Sequence, residues 1–133
     1  MTNPFKIASA LLLILMAHSV QPAAAAECCD PKSPFREGEG WADTPATCGN
    51  AGYWAQRAPD TSARITMIVR GRLTDVRDGV IAYLVMCEAP AVQIVCVTYQ
   101  TNGMQRGEDV TFAGGYERRG TRIILDPCLA SRE

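Results

Sequence analysis

The sequence predicts an all-β fold: a small five-stranded barrel, fastened by disulfides and preceded by a cysteine-rich, mostly irregular extension. Three observations carry this prediction. Strand-like apolar runs follow residue 64, glycines interrupt two of them where a sheet would have to bend, and six cysteines sit in a short chain that opens on an export signal.

The signal comes first in the chain. Lys6 precedes an apolar run from Ile7 to Met16, and Pro22-Ala23-Ala24-Ala25-Ala26 then leads to Glu27. That is the layout of a cleavable signal peptide over residues 1–26, with Ala24 and Ala26 at the small-residue positions before the cut. A membrane-spanning helix needs about 20 apolar residues, and this run is broken by His18, Ser19, Gln21 and Pro22. No stable membrane insertion is expected after cleavage. The expected location is the bacterial periplasm or the extracellular space.

Of 133 residues, the remaining 107 make one domain of ordinary size with a limited core. Removing Lys6 from 13 basic residues leaves 12 against 14 acidic ones, a net charge of −2. Nucleic-acid binding draws its affinity from clustered Lys and Arg on phosphates, so this balance argues against it.

Residues 27–62 are rich in Pro, Gly and Cys and hold neither helical nor strand periodicity for long. One short helix is expected, from Asn50 as N-cap to about Arg57, stopped by Pro59. From residue 63 the character changes. Ile65, Met67, Val69 and Leu73 alternate with Thr66, Arg70, Arg72 and Thr74, the period of a half-buried strand, with Gly71 where it could bend.

Asp78-Gly79 supplies a tight turn into two nearly continuous apolar runs, 80–87 and 92–99, divided by Glu88-Ala89-Pro90-Ala91. Continuous apolarity suggests strands covered on both faces. The expected cover is the 27–62 segment with Trp41, Tyr53 and Trp54. A fourth strand, 109–116, meets a fifth, 121–126, across a turn at Glu117-Arg118-Arg119-Gly120, and Gly114-Gly115 signals a bulge or sharp bend of the kind that curls a small sheet into a barrel.

Cys28, Cys29, Cys48, Cys87, Cys96 and Cys128 read as a framework of three disulfides, the usual meaning of an even count in a small exported domain. Neighbouring residues rarely meet disulfide geometry, which argues against Cys28–Cys29. Positions on adjacent strands suggest Cys87–Cys96, leaving the other four to tie the extension to the end of the barrel. Structural zinc sites draw cysteines in pairs two to four residues apart, a spacing absent here, and there is no CxxC redox pair. No metal site and no cofactor are expected.

Five antiparallel strands, a bent first strand with a central glycine, and the segment 107–120 opening the fourth strand together resemble the OB-fold. In that family a glycine and an acidic residue precede the fourth strand and a hydrophobic-x-hydrophobic-x-Gly pattern follows. The matching positions are Gly107, Glu108 or Asp109, Val110, Phe112 and Gly114. The resemblance spans about residues 64–126. It implies a binding face across strands two and three and the loops joining strands one to two and four to five. On this chain that face corresponds to Arg77, Tyr83, Val85, Tyr99, Arg118 and Arg119. The slightly acidic charge and apolar hairpin depart from a nucleic-acid reader, where basic and aromatic residues interleave.

Catalysis finds little support. His18 leaves with the signal, so no imidazole base remains, and Ser33, Ser62 and Ser131 lie in no nucleophile-elbow motif. Asp75, Asp78, Glu117 and Asp126 would have to converge in a cleft to act as paired carboxylates; turn and surface roles are the simpler expectation. Arg118-Arg119 reads either as a solvated tip or as a contact for an anionic glycan, headgroup or partner protein. Trp41, Tyr53 and Trp54 read as core in preference to a sugar-stacking platform. The expectation is an exported, non-catalytic binding or envelope-interaction module with a protein or small-ligand partner. The alternatives are a redox or metal-handling protein using its cysteines, and an OB-fold that binds oligosaccharide or nucleic acid.

Overall fold

The computed structural model describes residues 28–133; the predicted signal peptide lies outside them. Its elements in chain order are β1 (Phe35–Glu37), β2 (Ala46–Thr47), α1 (Ala51–Ala55), β3 (Ile65–Arg77), β4 (Ala82–Met86), β5 (Gln93–Thr98), β6 (Asp109–Arg119) and β7 (Arg122–Arg132). The last five close a barrel in the order β3-β4-β5-β7-β6, with β6 returning to β3. All neighbours are antiparallel except β5 and β7. A closed five-stranded barrel of this order is compatible with an OB-like fold.

Closure depends on β3 serving two partners. Residues 66–72 pair with β6, residues 73–77 pair with β4, and the register shifts between Leu73 and Asp75. Gly71 sits at this changeover for want of space. A Cβ there would lie 2.9 Å from the Cys48 sulfur and 3.0 Å from that of Met86. The start of β6 is tied to the same point, since the Leu73 amide donates to the Glu108 carbonyl and the Gly107 amide donates to the Leu73 carbonyl. Gly107 has φ +93°, which a side chain would resist.

Inward positions follow the period of two. Ala82, Leu84 and Met86 on β4, Ile94 and Cys96 on β5, Val110 and Phe112 on β6, and Ile123 and Leu125 on β7 are all buried in one core. At Gly114-Gly115 the β6–β7 register shifts, and the two backbones come so close that a Cβ on Gly115 would lie 2.5 Å from the Asp126 carbonyl oxygen. The bulge expected there is thus a close approach that only glycine permits.

The extension does a different job from the one expected. β1 and β2 pair with the first half of β3, the Thr66 hydroxyl donates to the Gly38 carbonyl, and Phe35 joins the core edge-on against Tyr116, ring centroids 5.1 Å apart. Helix α1 begins after Asn50 as predicted but is only five residues long. The Asn50 side chain accepts from the Thr47 amide instead of capping it. Ala51 and Ala55 are buried, and the Tyr116 hydroxyl donates to the Ala55 carbonyl at 3.4 Å. The extension therefore covers β3, and the outer side of the β4–β5 hairpin is left without it. Trp54 packs against the core, whereas Trp41 and Tyr53 are 60% and 52% exposed, which corrects their expected core role.

The cysteine pairing is corrected as well. All six are bonded, as Cys28–Cys29, Cys48–Cys87 and Cys96–Cys128. Cys87 cannot face Cys96 because the β4–β5 register sets Cys96 opposite Leu84, three residues away. With φ +72°, Cys87 turns out of β4 toward Cys48 beside β3. Two long-range bridges use four cysteines, so Cys28 and Cys29 have only each other. Three disulfides are consistent with an oxidising compartment.

Candidate functional site

The uncovered side of the hairpin is where the outward residues of four strands meet. Register places Asp75 opposite Val85 and Arg77 opposite Tyr83, then Tyr83 opposite Val97 and Val85 opposite Val95. It continues with Val95 beside Ile124 and Gln93 beside Arg122. Period-two alternation puts all of these on the outer face. The sheet twist makes them a groove of about 340 Å³, with Tyr83, Val85, Val95 and Ile124 as floor and Asp75, Arg77, Gln93 and Arg122 as walls.

The two ends of the groove differ in charge. At one, Arg77 donates to Asp75 at 2.8 Å, and that hydrogen bond holds the Asp75 carboxyl below the ordinary carboxylate range. At the other, Arg122 stands opposite Arg119. Arg119 is engaged by Glu117 at 2.9 Å, a hydrogen bond that raises its already high pKa. Among the described residues Arg122 makes no ion pair. Its charge is the one left available to a ligand.

Of the residues singled out in the sequence, Arg77 and Tyr83 line the groove and Arg119 stands next to it. Arg118 does not share this face. It opposes the buried Ile123, and its guanidinium donates to the Gly120 carbonyl at 3.2 Å. The two arginines expected at one tip point to opposite sides because β6 runs on through Arg119 and the turn is only Gly120-Thr121. Tyr99, 78% exposed, lies just past the end of β5 and extends the apolar surface toward Ile81 and Val80 without lining the groove.

Gln93, Val95, Arg122 and Ile124 were missed. They enter through the parallel pairing of β5 with β7, which corrects the five antiparallel strands read from the sequence. Three of the four acidic candidates are engaged locally: Asp75 by Arg77, Glu117 by Arg119, and Asp78 as acceptor from the Thr101 hydroxyl, while Asp126 makes no ion pair among the described residues. Comparison with protein-family models, curated proteins and solved structures finds no match to this chain.

Proposed function

We propose that this protein is an exported, non-catalytic binding module of OB-like type, working in the bacterial periplasm or outside the cell. It holds an amphipathic ligand, or a segment of a partner protein, on the outer face of β4 and β5. The supporting observation is the floor of Tyr83, Val85, Val95 and Ile124, which the chain's own extension leaves open and which ends at the unpaired Arg122. An apolar body on the floor with an acidic group at Arg122 satisfies both features. Export rests on the signal layout of residues 1–26 together with the three disulfides. The redox or metal-handling alternative needs free thiolates, and its weakness is that all six cysteines are bonded.

Anilinonaphthalene sulfonate, an aromatic body with one anionic group, tests this reading. The folded protein is expected to bind it saturably. Arg122→Glu should weaken binding about tenfold, the value of one partly solvated charge-assisted hydrogen bond. Unchanged affinity in both Arg122→Glu and Tyr83→Ser would refute the site.

A further inference from the structure

A second concavity lies away from the groove and shares no lining residue with it. Its volume is about 310 Å³, and Trp41, Glu39 and Arg64 stand around a floor of Gly114, Gly115 and Leu129. We infer that this cleft binds one ring of a neutral pyranose saccharide, stacked on Trp41.

Three features point to that chemistry. Trp41 spends a large apolar surface on solvent, at 60% exposure in a protein whose core is small. Its segment is nevertheless held in place, because the Gly38 amide donates to the Arg64 carbonyl at 2.7 Å and the Thr66 hydroxyl donates to the Gly38 carbonyl. The indole is thus presented by a tethered segment next to a concave floor.

At Gly114 and Gly115, on the β6–β7 bulge, the floor contributes no side chain of its own, so a ring there meets backbone flanked by Leu129 and Arg64. The Arg64 guanidinium lies over it, 3.0–3.2 Å from where a Cβ of Gly115 would be.

The polar groups then select the ligand. Among the described residues neither Glu39 nor Arg64 makes an ion pair. One offers only acceptors and the other only donors. A purely aliphatic ligand would desolvate both without compensation. An anion would satisfy Arg64 but face Glu39. A neutral sugar ring has an apolar C–H face for the indole, hydroxyl hydrogens for the carboxylate and hydroxyl oxygens for the guanidinium. It is the ligand class that uses all three.

The test is an amide and indole NMR titration of the folded, disulfide-bonded protein with chitotriose, maltotriose and cellotriose, each to about 10 mM, which detects binding down to the millimolar range. At least one is expected to shift the Trp41 indole N–H and the Gly114 and Gly115 amides. Trp41→Ala should weaken that binding about tenfold, as expected for a stacked aromatic, and Glu39→Gln should weaken it severalfold. Arg122→Glu, in the other groove, should leave it unchanged. The inference is overturned if none of the three sugars shifts these signals, if the shifts fall on Tyr83 and Arg122 instead, or if Trp41→Ala binds as well as the parent protein. Because the two sites share no residue, loss of either reading leaves the other standing.

Discussion

Replacing Cys48 and Cys87 together by alanine tests both the stability of the barrel and its connectivity. The bridge closes a loop with a sequence separation of 39, and the chain-entropy relation gives about 3.9 kcal/mol for that length. Cys96–Cys128, with a separation of 32, gives about 3.7 kcal/mol on the same relation. The two loops do not overlap in sequence, so the contributions add to about 7.6 kcal/mol, which is comparable with the whole stability of a typical domain at about 5–15 kcal/mol. Urea unfolding of Cys48→Ala/Cys87→Ala should therefore show a loss of about 4 kcal/mol, a larger m value as the unfolded chain expands, and no titratable thiol. Cys87→Ala/Cys96→Ala strips one partner from each long bridge. It should expose two thiols and lose most of the stability. If instead this second variant has no free thiol and loses only about 2.6 kcal/mol, the value for a nine-residue loop, then Cys87–Cys96 is the true bridge and the reasoning fails.

Two further outcomes follow from local geometry. Gly115→Ala drives a Cβ to 2.5 Å from the Asp126 carbonyl oxygen, which is strand backbone and cannot give way as the nearby Arg64 side chain can. The cost should be about 1–3 kcal/mol, lowering the melting temperature by at least about 5 °C; an unchanged melting temperature would show that the bulge is not tight. Glu108 accepts from the Gln105 amide and pairs with Arg132, and these bonds, the first foremost, hold its carboxyl below the ordinary range. A depressed folded-state pKa favours the ionised form, so its stabilisation is present above the unfolded value and is lost as pH falls through the folded one. A carboxyl NMR titration should place the Glu108 midpoint below that of a free glutamate, and a midpoint at or above it would contradict the contact.

What could be read from the sequence was whatever depends on neighbours in the chain. The alternation in β3 and the bend at Gly114-Gly115 are local signals, and the structure has both, whereas the tight turn expected at Asp78-Gly79 is a longer connection over residues 78–81 with neither residue at positive φ. The ends of β6 and β7 were not local. Glu117-Arg118-Arg119 looks like a turn by composition, yet these residues remain paired with Ile124, Ile123 and Arg122, and the reversal is left to two residues with Gly120 at φ +59°. Pro127 looks like a strand terminator. It is tolerated because β5 stops pairing with β7 at Leu125, so β7 continues along β6 from Cys128 with its other edge free of β5. Cysteine partners depend on the same long-range register. No local pattern distinguishes a cysteine facing across its own hairpin from one that turns away at φ +72° toward a different segment.

The misreadings of the site share one cause. The apolar hairpin and the aromatic residues of the extension were both assigned to a common core, on the premise that apolar surface in a small domain is covered by the chain itself. The extension instead spends its pairing capacity on β3, because that strand gives its first half to β6 on one side only and leaves an edge that would otherwise template association. Once β1 and β2 occupy that edge, Trp41 is carried past the bulge and away from the hairpin, and Tyr83 stays exposed beside the half-buried Val95 and the buried Val85. Covering β3 and covering the hairpin are thus competing uses of one short segment. The choice of β3 creates both concavities: the groove ending at Arg122 and the cleft beside Trp41. Apolar surface that a chain of this size leaves unburied is what a partner can bury in its place.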